Sequence, residues 1–169
     1  TTQDGPATTI TVTSATRASV ASTPTGSSID AIATKSAQSV VEVVVTVTGD
    51  QGPFGRETQK AQGSGFVYDT KGHLITNAHV VEGADSVEVL FADGSTYPAT
   101  VVGRDPASDV AVVEIDAPAS QLHPLTLADS SKVKVGDQVV AVGAPFGLAN
   151  TITSGIVSAL NREITSPDN

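Results

Sequence analysis

Ser86-Val87-Glu88-Val89-Leu90-Phe91, Ala92-Asp93-Gly94-Ser95 and Thr96-Tyr97-Pro98-Ala99-Thr100-Val101-Val102 together read as two strands around a tight turn. Apolar and polar residues alternate on the first arm, as a strand with one buried face requires. Asp-Gly at the tip is a strong hairpin signal, because the turn that matches strand twist needs positive φ. Working outward, the same grammar recurs. Val40 to Thr48 is almost continuous in β-branched residues, whose stiff side chains suit a pleated surface. Gly65-Phe66-Val67-Tyr68 and His73-Leu74-Ile75-Thr76 flank an Asp69-Thr70-Lys71-Gly72 turn, and Val110–Ile115 forms a sixth strand. Gly49 to Gln62, polar and interrupted by Pro53 and several glycines, reads as a loop. Six short strands with hardly any helix between them imply an all-β fold, a small antiparallel barrel from about residue 39 to 116.

On either side the pattern changes. Residues 1–28 are half Thr and Ser, too poor in apolar surface to offset ordering entropy, and are expected to form a flexible stalk. Ile29, Ile32, Ala33, Ala37 and Val40 fall at helical spacing, with Ser27 or Ser28 available as N-cap, so a short helix is expected over about 28–38. The helix and barrel form a unit over 29–117. A proline-punctuated connector follows over 118–135. The strand pattern restarts in 136–169, with Asp137–Val142 and Thr151–Leu160 around Gly143-Ala144-Pro145-Phe146-Gly147-Leu148. Two strands are too few for an independent domain, so this last part reads as the opening of a second, incomplete barrel.

Composition narrows function by exclusion. Nine basic against eighteen acidic residues give a net charge of −9, which disfavours nucleic acid or an anionic membrane as partner. With no Cys there are no disulfides or thiolate metal sites. No stretch approaches the roughly 18 apolar residues that span a bilayer. The acidic residues lack metal-ligand spacing, and Gly143 to Gly147 is followed by neither Lys-Ser/Thr nor a helix pattern, so no metal and no cofactor are expected.

Three histidines remain as candidates for chemistry. His73 adjoins a Gly turn and His123 precedes Pro124; both are expected to be solvated. His79 lies between Leu74-Ile75-Thr76-Asn77-Ala78 and Val80-Val81, and the residues alone leave open a structural histidine or one projecting into a cleft. Asp109, after Arg104-Asp105-Pro106-Ala107-Ser108, is equally a turn residue or a partner that fixes an imidazole's tautomer.

A resemblance separates these readings. Gly63-Ser64-Gly65-Phe66-Val67 and Ile75-Thr76-Asn77-Ala78-His79-Val80-Val81 resemble the catalytic-histidine region of HtrA-type, DegP-like serine proteases. Asp105-Pro106-Ala107-Ser108-Asp109-Val110-Ala111-Val112-Val113 resembles the catalytic-aspartate segment. Val135-Gly136-Asp137, Ala141 to Leu148 and Thr153-Ser154-Gly155-Ile156-Val157-Ser158 are similar to the start of that family's second barrel.

The resemblance implies a chymotrypsin-like, trypsin-like fold. His79 would be general base and acid, and Asp109 its orienting partner. The family's nucleophile sits in a Gly-Asn-Ser-Gly-Gly stretch, and the 169 residues contain none; Ser64, preceded by Gln62-Gly63, fits no nucleophile elbow and reads as structural. Without nucleophile and oxyanion hole the chain by itself is expected to be inactive, each loss being on the order of 10²–10⁶ in rate.

The family further implies an extracytoplasmic, ATP-independent endopeptidase acting on unfolded or damaged polypeptides, of which this chain would be the amino-terminal part. It often carries PDZ domains and assembles as a trimer, and the stalk fits a spacer from an upstream membrane anchor. The alternative is a non-catalytic pseudoprotease that only holds peptides.

Overall fold

The computed structural model describes residues 29–50, 56–144 and 151–162. Helix α1 (Ile29–Ala37) leads into β1 (Val40–Asp50), followed by β2 (Arg56–Val67), β3 (His73–Thr76), β4 (Ser86–Leu90), β5 (Thr96–Asp105) and β6 (Val110–Ile115). These six strands close into an antiparallel barrel in the order β1-β2-β3-β6-β5-β4, and β7 (Gln138–Gly143) pairs with β8 (Thr151–Ile156) as a separate two-stranded sheet. The expected six-stranded barrel, short helix and additional strand pair are all present. The stalk over 1–28 lies outside the described residues, as does the greater part of the turn reaching Leu148.

Alternation places the core. Val41, Val43 and Val45 of β1, Val87 and Val89 of β4, and Ala111, Val113 and Ile115 of β6 point inward with Val67, Leu74 and Phe91. Each fully buried Val or Leu contributes roughly 1.5–3 kcal/mol of transfer free energy. Phe91 and Tyr97 meet edge to face at 5.7 Å, closing one side of the hairpin. At its tip the Phe91 amide donates to the Ser95 carbonyl (2.9 Å) and Gly94 has φ 86°, the conformation that Asp-Gly anticipates.

Three boundaries and the setting of one histidine differ from the sequence reading. Gly49 to Gln62 is not all loop: β2 begins at Arg56 and pairs with β1 as far out as Asp50↔Arg56. Thr58 to Gln62 are exposed on both faces, so no hydrophobic period marks them; the long β1 backbone supplies the partner that their side chains do not announce. Strand β5 runs on to Asp105 rather than ending at Val102, through an irregularity between Val101 and Gly103, and its last residues are exposed and patternless for the same reason. Strand β8 stops at Ile156, short of Leu160. His73 is not simply solvated: it is half-buried, with Nδ1 2.7 Å from Asp69 Oδ2, while Asp69 Oδ1 accepts from the Lys71 and His73 amides. A turn that needs its carboxylate capped recruits the nearest donor.

Beneath that turn Gly72 has φ 97°, and a Cβ there would stand 2.1 Å from the Ile115 carbonyl oxygen. Only glycine lets the β2–β3 turn approach the end of β6 so closely. Helix α1 and β1 both touch β7, and Ala144 donates its amide to Ser64 Oγ (2.9 Å), so the second sheet is tied to the barrel beside the β2–β3 edge.

Candidate active site

Strand register brings distant residues together here. In the β3–β6 ladder Thr76 pairs with Ala111. Because the strands are antiparallel, the chain leaving β3 and the chain entering β6 diverge from the same end of the barrel. Residues 77–79 and 109–110 therefore meet, although 30 positions separate His79 from Asp109.

Each approach is locally fixed. After β3, Thr76 Oγ1 donates to the Ser64 carbonyl (2.8 Å). Ala78 and Val81 are buried, and the turn between them leaves His79 outside. Val80 packs over Gly63, where a Cβ would stand 2.5 Å from Val80 Cγ2. Before β6, Asp105 organises its own turn: Oδ1 accepts from the Ala107 amide (3.0 Å) and Oδ2 from Ser108 Oγ (2.7 Å). That turn delivers Asp109 at φ 52°, a left-handed conformation that Asp adopts more readily than most residues.

The carboxylate of Asp109 faces the imidazole. His79 Nδ1 lies 2.9 Å from Oδ1 and 2.8 Å from Oδ2, and the His79 amide donates to Oδ1 at 3.0 Å. An ionised carboxylate only accepts, so Nδ1 carries the proton and Nε2 is left as the basic nitrogen. The Asp109 carboxyl is held below its ordinary value of 3.8, first by the His79 backbone amide, then by hydrogen bonding and charge attraction from the imidazole, with Asn77 adding to them; partial desolvation opposes them. Both side chains remain open to water, 68% exposed for His79 and 44% for Asp109.

A groove of about 480 Å³ runs beside them between the barrel and the two-stranded sheet, lined by Ser64, Thr76, Asn77, Asp109, Val140 and Val142 among others. Ser64, read from sequence as structural, spends its hydroxyl on the Ala144 amide. No serine among the described residues bonds His79, and His123 is exposed in the connector, beside Phe91, Asp93 and Gln121. Asn77 was not singled out in the sequence. Its only signal is a polar side chain two positions before the histidine, which any turn would also show.

A histidine whose Nδ1 is held by an aspartate, on adjacent loops of a closed six-stranded antiparallel barrel, has the arrangement that the acid–base half of a serine-peptidase triad requires. The chain belongs to the trypsin-like peptidase family: that domain's sequence pattern matches residues 63–169. Within the family its likeness is to the HtrA branch. It is 48% identical over 110 residues to Protease Do-like 1, chloroplastic, of Arabidopsis thaliana, a match covering 65% of this chain and 25% of that protein. It is 45% identical over 124 residues to the periplasmic serine endoprotease DegP of Escherichia coli, covering 72% and 26%. Among solved structures, the HtrA-type protease AlgW with a tripeptide superposes with TM-score 0.65 at 35% identity, covering 75% of this chain and 38% of that one. The chain thus spans about a quarter of the length of these curated relatives.

Proposed function

We propose that this chain supplies the general base and its orienting acid to a serine endopeptidase of HtrA type. His79 Nε2 would take the proton of an attacking serine and return it to the leaving amine. Asp109 would keep the imidazole in the required tautomer and stabilise the imidazolium. The observation that carries this reading is the paired contact of Nδ1 with the Asp109 carboxylate.

The nucleophile would come from sequence not present in these 169 residues. In this reading residues 29–117 are the first barrel unit, 118–135 the connector and 136–169 the first strands of a second barrel, with 1–28 a stalk. Polypeptide substrates are supported by the peptide-bound state of AlgW; unfolded or damaged chains are the class proposed. Extracytoplasmic placement is supported by the periplasmic DegP relative, although the Arabidopsis relative is chloroplastic. No helix among the described residues is long and apolar enough to cross a membrane. Membrane tethering, PDZ domains and trimer formation belong to the same proposal.

A fluorophosphonate probe tests it. The 169-residue chain is expected to remain unlabelled. A longer form reaching a Gly-Asn-Ser-Gly-Gly stretch is expected to be labelled at that serine, and His79→Ala should abolish the labelling. Labelling of the 169-residue chain at any serine, or undiminished labelling of the longer His79→Ala form, refutes the assignment. A longer form with no such serine would instead make this a peptide-holding module.

A further inference from the structure

The contacts of Asp109 assign a role to a residue that the dyad chemistry does not use. Its carboxylate has three donors among the described residues, and two of them, the amide and Nδ1, belong to His79 itself. The third is Asn77, whose Nδ2 lies 3.0 Å from Asp109 Oδ2 and 3.2 Å from the Asp109 main-chain carbonyl oxygen. Both acceptors lack hydrogens, so the NH₂ of the amide must face them, and its two hydrogens match two acceptors on one residue.

We infer that Asn77 is the positioning residue of the dyad: it clamps Asp109 by side chain and backbone at once, so that the carboxylate faces His79. This rests on the proposed role of His79 as base. The clamp has something to hold. Asp109 sits at φ 52°, a conformation disfavoured for any residue with a Cβ, and the Asn77 bond to its carbonyl spans that strained unit. The clamp is also anchored independently of the imidazole. Asn77 follows Thr76, which is buried and bonded to Ser64, and precedes buried Ala78. A proton shuttle whose orienting acid were fixed only by the histidine would lose its reference whenever the ring moved. Asn77 provides that reference from β3. Being exposed itself, it adds nothing to the core, so its loss should leave the barrel intact.

The test uses nuclear magnetic resonance on the 169-residue chain, with labelled Asp carboxyls and His imidazoles, so the readout needs no turnover. In Asn77→Ala the Asp109 titration midpoint is expected to rise, because the ionised form loses a donor. The His79 Nδ1 proton should exchange with water several-fold faster, with spectra elsewhere unchanged. Asn77→Asp keeps the shape but sets a second carboxylate against the first, and should raise a midpoint further than Asn77→Ala does. Unchanged Asp109 titration and unchanged Nδ1 exchange in both variants overturn the inference while leaving the dyad standing. The reading beneath it fails separately, and the inference with it, if Asp109→Asn leaves the exchange rate of the His79 Nδ1 proton where it was.

Discussion

Gly63→Ala tests how the barrel wall sets the position of the histidine. A Cβ at residue 63 would lie 2.5 Å from Val80 Cγ2, 2.8 Å from Cγ1 and 3.2 Å from Val80 Cβ. Comfortable carbon–carbon contact is about 3.5–4.0 Å, so the nearer methyl must retreat by roughly 1 Å. Rotating χ1 does not clear the clash, since both methyls and the branching carbon are already close. The Val80 backbone has to move, and His79 is its neighbour. Overpacking of this kind costs about 1–3 kcal/mol, and we expect Gly63→Ala to fall in that range by urea unfolding followed by far-UV circular dichroism, the chain having no Trp. Val80→Ala removes both obstructing methyls, so Gly63→Ala/Val80→Ala should recover much of the loss attributable to the clash. A coupling energy of about 1 kcal/mol or more is expected from the double-mutant cycle. In the single Gly63→Ala variant the His79 Nδ1–Asp109 contact should also loosen, visible as faster exchange of the Nδ1 proton. Additive single effects within about 0.3–0.5 kcal/mol would show that Gly63 and Val80 do not press on one another and that the wall does not set the histidine.

Gly72→Ala should be far more damaging than Gly94→Ala in the same unfolding assay. Both residues have positive φ, but a Cβ at 72 meets a carbonyl oxygen at 2.1 Å and one at 94 meets nothing within 4 Å, so the control should lose only the backbone preference of about 1–2 kcal/mol and equal losses would contradict the contact. Acid should destabilise the fold in a defined window. Asp109 has its carboxyl lowered chiefly by the His79 amide, Asp69 by the His73 side chain, and Asp93 and Asp105 chiefly by the Ser95 and Ser108 hydroxyls. A carboxyl with its value lowered on folding contributes stability fully present above its unfolded value, near 3.8, and lost as pH falls through the lower folded values. The urea midpoint should therefore hold at pH 6 to 5 and decline below about pH 4; Asp109→Asn should flatten that decline, and a midpoint that rises on acidification contradicts the assignment.

The strands that build the barrel announce themselves by what they bury. Val87 and Val89 alternate with exposed Ser86 and Glu88 because they alternate between core and exterior, whereas β1, with Val40, Val41, Glu42 and Val43 all buried, is marked by its run of β-branched residues. Thr58 to Gln62 of β2 and the end of β5 carry no such mark. Their side chains see water on both faces, and pairing there is a backbone matter that composition does not record. His79 shows the same limit at the site. Beside Asn77, Ala78 and Val80 it had two readings, and only the resemblance favoured one of them, because closeness to Asp109 is a property of the β3–β6 register and no local pattern encodes it. Asn77 lay wholly below the reach of sequence, since its meaning is one amide group reaching two acceptors of a single residue 32 positions away.

The register also separates what the barrel settles from what it leaves open. Geometry is preformed: β3 and β6 deliver both side chains within hydrogen-bond distance without help from the second sheet. Electrostatics are not. At 68% and 44% exposure the dyad interacts through a largely aqueous medium, where charges attract far more weakly than at the lower effective dielectric near a covered protein surface. The groove beside Asp109, apolar along Val140 and Val142, is where cover would act. Chain or substrate filling it would desolvate the carboxylate from behind while leaving its bonds to His79 and Asn77 in place. Each of those bonds would then strengthen without any movement of the dyad, which under the proposed function is how a site arranged in advance would gain catalytic force.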